Sequence, residues 1–466
     1  MSVDADEKTR GLLRAALARG RAGAAPRLMR EHCLAPERRP GGIVVQRLML
    51  APEAHEGDEH AVPVVLVHSD DARGDGARPL ICFMHGTGGD SEGLLETHLV
   101  PFAKRGYCAL GVDAPCHGRR LDPAPKAKIP PPEAKSPSSS RTPDDADGLA
   151  ASLRAPSGHV SLSRSRSETF ERYGAALVAA WRGGFEPPER SAAERSAASE
   201  TIRHSGHSGS ARPFLFDGAW DCLRAVRFAT GLSSDAALPT RAASGNEPPL
   251  DLVDVNVDAT RVGVSGVSLG GMYAWLAAAA APETIAAAAP LIGAQDFGWA
   301  LRNERWRARV DSLPPALFRA AERDERETLG DERTSPREVS PELVERVYDA
   351  ICPGLTTFLD GPRTFPLVAP RPMLIVNGEL DPRNPLEGVR GLVAATRRAY
   401  ESKKKTKNFV AVAQRGVAHA CTPQMLALAD AWLDWRLRPA AAFCDGNRAE
   451  AAVAEALRDA ETWLEL

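Results

Sequence analysis

The sequence predicts an α/β fold, with a mostly parallel central sheet flanked by helices. Short buried-strand patterns alternate with helical patterns along the 466-residue chain. Glycines occupy the joints after two of the strands, at 86–89 and 266–271. This alternation favours parallel strands, because parallel neighbours need a crossover helix rather than a tight hairpin. A G-x-S-x-G motif between a strand pattern and a helix pattern is the third observation that predicts this architecture.

Each predicted element has its own periodicity or composition. Strands are expected where apolar residues run together or alternate, at 43–50, 61–68, 79–84, 107–113, 261–265, 285–292, 373–376 and 409–412. Helices are expected where apolar residues recur every three or four positions, at 9–32, 94–104, 217–230, 299–311, 314–329, 341–351, 386–400 and 424–436. The helices between 299 and 351 predict a helical cap, at 294–365.

The chain divides by composition into one main domain, two terminal additions and three insertions. The main domain is expected at 41–439, after a helical extension at 1–40 and before a helical tail at 440–466. In the tail, an apolar stripe at helical spacing predicts packing on the body or on a second subunit; its residues are Val453, Leu457, Ala460 and Leu464. Mobile surface loops are expected where small, polar and proline residues predominate, at 122–166, 187–211 and 233–250.

Composition and charge exclude several classes of function. The 43% hydrophobic content is enough for a large core, and the net charge of -3 gives no basis for nucleic-acid binding. No run of about 18 apolar residues occurs, so no membrane span is expected. The acidic start, 1–7, has no signal-peptide pattern and is unfavourable in an organellar transit peptide. The eight cysteines are scattered without a C-x-x-C pair, which predicts buried thiols in the reducing cytoplasm.

The sequence contains no pattern for a metal or a cofactor. It has neither an H-E-x-x-H motif nor a cluster of His and Asp residues at metal-ligand spacing. The glycines at 86–89 lack the Lys-Ser/Thr pair of a phosphate-binding P-loop. We therefore expect neither a metal nor a cofactor.

A sharp turn is predicted at 266–270, where the sequence reads Gly-Val-Ser-Leu-Gly. The segment before it, 261–265, is β-prone, and the segment after it, 272–280, is apolar and helix-prone. A strand-to-helix turn of this kind, a nucleophile elbow, needs small neighbours, which the two glycines supply. It presents Ser268 at the head of a helix, where free N–H groups favour negative charge. Ser268 is therefore the candidate nucleophile.

An acid and a histidine follow Ser268 in the chain order that this kind of turn requires. A serine hydroxyl needs a general base, and that base needs an orienting carboxylate. Asp381 is the preferred acid, because it lies in a turn just after the strand pattern at 373–376; Glu379 is the alternative. His419 is the only histidine after Asp381, and it lies in a loop beyond the next strand pattern.

The loop at 85–89 is predicted to stabilise an oxyanion together with the elbow. One candidate donor is the backbone N–H of Leu269, next to the serine. The other is the backbone N–H of Thr87, with Gly86 beside it, because glycines let the backbone of this loop turn inward.

Three further side chains are candidate substrate or loop contacts. His85 is expected to hold its own loop. For His117 a second base, a substrate contact and a hydrogen-bonded loop anchor remain open, with the anchor preferred. Trp299, in the expected cap, is the third candidate contact. Cys116 is disfavoured as a nucleophile, since no histidine is evidently paired with it.

Together these motifs resemble the α/β-hydrolase superfamily. They are most similar to the branch of dienelactone hydrolases and prolyl-oligopeptidase-like serine esterases, which includes little-characterised plant and bacterial esterase-like members. The resemblance spans residues 40–440 apart from the insertions. It implies that Ser268, Asp381 and His419 form a catalytic triad, and that 294–365 helps to shape a substrate pocket.

The sequence thus predicts a serine hydrolase that cleaves carboxylic esters through an acyl-enzyme. Its expected partner is a small-molecule ester rather than a nucleic acid or a membrane, and the chain is a monomer or a homo-oligomer. Two other functions remain open. One is a peptidase or amidase with the same triad, and the other is a ligand receptor with little turnover. The motifs do not identify the acyl group, because this fold hosts many chemistries.

Overall fold

A computed structural model describes residues 3–18, 26–51, 60–70, 76–120, 166–184, 214–231, 255–328, 338–440 and 444–466. The three expected loop stretches, 122–166, 187–211 and 233–250, lie outside these ranges except for Arg166. The predicted strands and helices fall largely within the described ranges.

Eleven strands in the described part of the chain form one sheet. They are β1 (Arg27–Leu28), β2 (Glu37–Arg39), β3 (Ile43–Ala51), β4 (Val62–Ser69), β5 (Arg78–Met84), β6 (Cys108–Val112), β7 (Val257–Val267), β8 (Ala287–Leu291), β9 (Met373–Gly378), β10 (Phe409–Gln414) and β11 (Trp463–Glu465). Their order is β1-β3-β4-β6-β5-β7-β8-β9-β10-β11, with β2 also paired to β3. The neighbours from β6 through β10 in this order run parallel, and the outer strands pair antiparallel.

Helices cover both faces of this sheet. They are α1 (Val3–Leu17), α2 (Val100–Lys104), α3 (Arg166–Gly184), α4 (Phe214–Gly231), α5 (Leu269–Ala280), α6 (Phe297–Arg302), α7 (Arg307–Val310), α8 (Pro315–Thr328), α9 (Pro341–Ile351), α10 (Gly361–Thr364), α11 (Leu386–Ser402), α12 (Pro423–Leu437) and α13 (Gly446–Ala456). A π-helical segment, Leu95–Leu99, leads directly into α2.

Alternating strand residues account for the two covered faces. In β5, Leu80 and Cys82 belong to one hydrophobic core, whereas Ile81 and Phe83 belong to the other. Successive side chains of a strand point to opposite faces, so an apolar run needs cover on both sides. Helices α2, α12 and α13 pack on the Ile81 side, and α4 and α5 pack on the Leu80 side. The mostly parallel sheet between two helical layers confirms the predicted fold class, an α/β fold with a central sheet flanked by helices.

The N-terminal part differs from the helix expected at 9–32 and from the purely helical extension expected at 1–40. Helix α1 is shorter, and β1 and β2 then add to the sheet by pairing with β3. Pro26 has no N–H to continue a helix. Gly41 and Gly42 have φ angles of 78° and 71° and close the hairpin between β2 and β3. A Gly-Gly pair before an apolar run is a hairpin signal that the sequence contains.

The tail differs from the helical stripe expected within 440–466. Helix α13 ends at Ala456, and β11 pairs antiparallel with β10, so that Trp463 lies opposite Gln414. This pairing satisfies backbone groups at the edge of β10 that a continued helix would leave unpaired. The tail packs on the body of its own chain through both elements, since α13 also contacts α12.

Helix α3 is not among the predicted elements. Its buried residues recur at helical spacing, as in Tyr173, Leu177 and Trp181, so the periodic signal is present in the sequence. The helix packs against α8 and α9, which lie within the segment expected to form the cap, 294–365. In the parts of that segment that the structure describes, 294–328 and 338–365, the helices are α6 to α10.

Two further findings concern the described ranges. No helix within them combines the length and the apolar character needed to cross a bilayer. The eight cysteines are free thiols, including Cys82 and Cys222, whose sulfur atoms lie 3.6 Å apart.

The buried Trp275 on α5 provides a test of the core. Its ring is fully buried and stacks on Phe365, with 4.6 Å between the ring centroids, and its indole N–H donates to Gly293 O at 3.3 Å. We expect Trp275→Ala to lower the free energy of unfolding by about 3–5 kcal/mol, since it leaves a cavity. Urea unfolding followed by circular dichroism measures the change. Leu380→Ala is the control, because Leu380 is 62% exposed. Equal effects of the two substitutions would contradict this assignment of the core.

Candidate active site

The chain turns sharply at Ser268, between β7 and α5. Ser268 has φ 55° and ψ −108°, a conformation uncommon for a residue with a side chain. The turn is fixed from both sides: the Ser268 N–H donates to Leu291 O at 2.9 Å, and Ser268 O accepts from the Met272 N–H at 2.9 Å. The serine is 5% exposed at the head of α5. A backbone held in such a conformation is typical of a functional site.

Gly270 brings this turn into direct contact with the end of β5. A Cβ atom at Gly270 would lie 2.1 Å from Met84 O and 2.7 Å from His85 O, so no larger residue fits without displacing backbone. The contact places the start of the 85–89 loop beside the Ser268 turn.

His419 lies between Ser268 and Asp381 and is within hydrogen-bonding distance of both. Ser268 Oγ is 2.8 Å from His419 Nε2, and His419 Nδ1 is 2.7 Å from Asp381 Oδ2. A carboxylate only accepts, so Nδ1 carries the imidazole proton and Nε2 accepts the hydrogen bond from the serine hydroxyl. The side chains of His419 and Asp381 are 6% and 0% exposed. The structure thus brings together the three residues that the sequence singled out.

The carboxylate of Asp381 is held from several directions. Its Oδ1 accepts the backbone N–H groups of Arg383 and Asn384, at 2.8 and 3.1 Å. Its Oδ2 also accepts the Asn384 side-chain amide at 2.9 Å. Glu379, the alternative acid, instead accepts the Gly416 N–H at 2.9 Å. The geometry therefore favours Asp381 over Glu379 as the partner of the histidine.

The turn that carries Asp381 and the loop that carries His419 are joined through their backbones. The Leu380 N–H donates to Val417 O at 2.9 Å, and the Glu379 N–H donates to Gln414 O at 2.9 Å. These contacts continue the parallel pairing of β9 with β10 beyond the strand ends. The acid and the base are consequently positioned by one continuous hydrogen-bonded unit.

Burial and neighbouring charges oppose one another at the Asp381–His419 pair. Burial raises the pKa of Asp381, but the hydrogen bond and charge of His419 lower it, leaving the pKa below its ordinary 3.8. Burial lowers the pKa of His419, Asp381 raises it, and Arg309 and Arg383 lower it, leaving it below its ordinary 6.5. At neutral pH the imidazole is therefore neutral and can accept a proton.

The loop at 85–89 is anchored by two buried histidines. His85 Nε2 accepts the Ala114 N–H at 2.9 Å, and its Nδ1 lies 2.8 Å from Gly86 O. His117 Nε2 accepts the Gly88 N–H at 3.0 Å, and its Nδ1 lies 2.7 Å from Pro115 O. Both ring nitrogens of each histidine are thus within hydrogen-bonding distance of backbone atoms of these loops.

The surroundings of His117 favour the anchor over the second base. Burial, followed by the charge of His85, lowers the pKa of His117 to about 3. A neutral, doubly hydrogen-bonded imidazole holds its loop and is poorly placed to take up a proton at neutral pH.

The candidate oxyanion donors lie on the two segments that meet at Gly270. Leu269 is the first residue of α5, where backbone N–H groups have no partner within the helix. Thr87 and Gly86 lie in the loop that begins beside the elbow, and Thr87 is half-buried. This arrangement suits donors that converge on an oxygen bound next to Ser268.

Trp299 packs against a neighbouring helix. Its ring packs against Gly388 of α11, where a Cβ atom would come within 2.9 Å of the indole. A cleft next to the candidate site is lined by residues of α6, α7, α9 and the Asp381 turn, among them Phe297, Trp306, Arg309, Tyr348, Arg383 and Pro385. Trp299 is not among these lining residues, and its contact with a substrate stays a prediction. Sequence patterns gave no signal for Arg309, because α7 is a single short turn.

Metal-ligating side chains do not cluster in the described ranges, where no three His, Cys, Asp or Glu residues are placed to share an ion.

No protein-family model matches the chain, and no curated protein matches its sequence. Among solved structures, it is similar to acetyl xylan esterases from Paenibacillus sp. R4 and Thermoanaerobacterium sp. JW/SL YS485 and to a glucuronoyl esterase from Solibacter usitatus. The identities are 14%, 12% and 13%, and the TM-scores are 0.47, 0.41 and 0.43. The matches cover 93%, 92% and 91% of this chain and 94%, 92% and 91% of those chains.

We expect the His419 imidazole to titrate below its ordinary 6.5. Asp381→Asn removes a negative charge that stabilises the imidazolium, so the His419 pKa should fall further. Arg383→Gln removes a repelling positive charge, so the pKa should rise. NMR of histidine labelled with ¹⁵N measures the titration, and His419→Gln identifies the signal.

Arg305→Gln is the matched control for this titration, because Arg305 is exposed and is not among the charges that act on His419. A wild-type value at or above 6.5, or shifts of the same sign in Asp381→Asn and Arg383→Gln, would contradict this electrostatic description.

Proposed function

We propose that the protein is a serine hydrolase that cleaves carboxylic esters, in the dienelactone-hydrolase and prolyl-oligopeptidase-like branch of the α/β hydrolases. The observation that carries the proposal is the line of contacts from Ser268 Oγ to His419 Nε2 (2.8 Å) and from His419 Nδ1 to Asp381 Oδ2 (2.7 Å). Both distances are those of hydrogen bonds, so the base is within reach of the proton that it must remove.

In the first step, Ser268 Oγ attacks the acyl carbon of the ester while His419 Nε2 takes the hydroxyl proton. The imidazole becomes an imidazolium, which the ionised carboxylate of Asp381 stabilises and orients. The lowered pKa of His419 supports this role, since it keeps the resting imidazole in the form that accepts a proton. Burial of the pair strengthens their attraction relative to water.

The oxyanion of the tetrahedral intermediate is proposed to accept hydrogen bonds from the backbone N–H groups of Leu269 and Thr87, with Gly86 beside it. The close approach of Gly270 to Met84 O supports this placement, because it brings the two donor segments together. One such donor contributes about 10²–10³ in rate. Collapse of the intermediate expels the alcohol, which takes the proton from His419 and leaves the acyl group on the serine.

Water then completes the reaction. His419 Nε2 removes a proton from water as its oxygen attacks the acyl-enzyme, and a second oxyanion forms in the same place. When this intermediate collapses, Ser268 regains its proton from His419 and the carboxylic acid leaves. The proposed substrate is a small-molecule ester. The eight free cysteines support a reducing location such as the cytoplasm.

Ser268→Ala tests the proposal directly. We expect it to abolish labelling by a fluorophosphonate probe and to lower kcat/KM for 4-nitrophenyl acetate by at least ~10⁴-fold, because the nucleophile is removed. Gel fluorescence and absorbance measure the two effects. Ser402→Ala is the matched control, since this exposed serine donates only to Ala399 O (2.8 Å) and should keep both activities.

Three results would argue against the proposal. Unchanged ester turnover in Ser268→Ala would exclude this serine as the nucleophile. Turnover of an aminoacyl 4-nitroanilide at rates comparable to the ester would favour an amidase. A folded wild type that is neither labelled nor active, yet binds a small molecule tightly, would favour a receptor.

A further inference from the structure

The cleft beside the candidate active site is lined by two arginines that form no ion pair with a carboxylate in the described ranges. They are Arg309 on α7 and Arg383 in the turn after β9. Arg383 is two residues beyond Asp381, and Arg309 Nη1 lies 4.0 Å from the sulfur of Met272, one helical turn beyond Ser268. The cleft therefore adjoins the groups that we propose to react.

The guanidinium of Arg309 is only partly hydrogen-bonded. Its Nη2 donates to Arg383 O at 3.3 Å and to Asn384 Oδ1. Its Nε is buried and has no hydrogen-bond partner in the part of the chain that the structure describes. A charged donor buried without a partner is costly, so a ligand that accepts from it is favoured.

The Arg383 guanidinium faces the same cleft. Within the described ranges, it forms neither a hydrogen bond nor an ion pair through its side chain. Burial lowers the pKa of Arg383, and the charge of Arg309 lowers it further. The two guanidinium groups thus repel one another in a partly desolvated space, which an anion between them would relieve.

Tyr348 adds a third donor to this cleft. Its hydroxyl is buried and lacks a hydrogen-bond partner among the described residues. The ring is held edge-on against Phe297, with 5.3 Å between the centroids, so its position is fixed by packing. Burial raises the pKa of Tyr348, which keeps the hydroxyl protonated and able to donate at neutral pH.

Of the acids near the cleft, Asp381 and Asp311 partly offset the charge of Arg383 without an ion pair. Asp296 and Asp360 are held by backbone N–H groups. Asp296 also lines the cleft, but its Oδ1 accepts the Trp299 N–H at the start of α6, at 2.7 Å. Asp360 accepts three backbone N–H groups, and burial, followed by Asp296, raises its pKa to about 7. Asp381 holds the histidine. Across the described ranges, none of these acids forms an ion pair with either guanidinium.

We propose that Arg309, Arg383 and Tyr348 bind a carboxylate of the substrate. The preferred substrate is then an ester whose acid part or alcohol part has a free carboxylate. This inference rests on the proposed ester hydrolysis and specifies its substrate class. A carboxylate suits this set of donors, because planar guanidinium groups donate in pairs to its two oxygens and the tyrosine hydroxyl supplies a further donor.

The test compares matched charged and neutral esters. For the acid part, the pairs are 4-nitrophenyl hydrogen adipate, pimelate and suberate, each against its methyl ester. For the alcohol part, 4-acetoxybenzoate is compared with methyl 4-acetoxybenzoate. The measured quantity is the ratio of kcat/KM for the charged and the neutral ester. Any change in the His419 pKa affects both members of a pair equally and cancels in this ratio.

We expect Arg383→Gln to lower the ratio about tenfold to a hundredfold in at least one pair, as for loss of a charge-assisted hydrogen bond. Arg383→Lys should restore part of it, because the charge returns without the planar fork. Tyr348→Phe should lower the ratio several-fold without lowering Tm, since it removes a buried hydroxyl that has no partner in the described ranges. Arg305→Gln, an exposed arginine between α6 and α7, should leave the ratio unchanged.

Two outcomes separate this inference from the proposed function. If the wild type cleaves neutral esters and neither Arg383→Gln nor Tyr348→Phe changes any ratio beyond Arg305→Gln, the carboxylate site is wrong and ester hydrolysis stands. If the wild type cleaves no ester, calorimetric titration with adipate and 4-hydroxybenzoate decides the site. Binding lost in Arg383→Gln and kept in Arg305→Gln supports it, and equal or absent binding overturns it.

Discussion

The parallel pairing of β5, β7, β8, β9 and β10 is the constraint on which the candidate site depends. Met84 at the end of β5 lies opposite Gly266 in β7, and Gly378 at the end of β9 lies opposite Gln414 in β10. The strand ends are therefore level, and the segments that follow them emerge at one edge of the sheet. Residues far apart in sequence meet there because the register of the sheet aligns their strands.

Desolvation sets the electrostatics at this edge. It acts against the charged form of every group, yet Asp381 remains ionised because four hydrogen bonds hold its oxygens. His419 shares that environment and is kept neutral by it. Arg309 and Arg383 form no ion pair with a carboxylate in the described ranges, and burial lowers the pKa of both guanidinium groups as it lowers that of His419.

Local patterns in the sequence predicted the parallel sheet and the residues at its edge. Ser268 and His419 could be found because a turn motif and a chain order identify them. Asp381 could only be preferred over Glu379, because the two lie in one turn and tertiary hydrogen bonds distinguish them. The position of Arg309 could not be predicted, since a buried guanidinium that is only partly hydrogen-bonded is a property of packing rather than of sequence.

Strand β11, helix α3 and the N-terminal segment differ from the elements that the sequence predicted. Strand β11 has three residues, too few for a periodic signal, and it forms because β10 offers an unpaired edge. Helix α3 has a clear apolar stripe but lies between stretches rich in small and polar residues, which obscured it. The helix predicted at 9–32 includes Pro26, and proline, which has no N–H, interrupts a helix.

The backbone link between the Asp381 turn and the His419 loop has a consequence for dynamics. Amide protons that bond one segment to the other, such as those of Leu380 and Glu379, exchange with solvent only when the segments separate. Breaking that link disturbs the acid and the base together, so neither can move away alone. Local opening of this region is therefore cooperative. The Asp381 turn and the His419 loop are expected either to stay joined or to separate together, rather than to shift past one another.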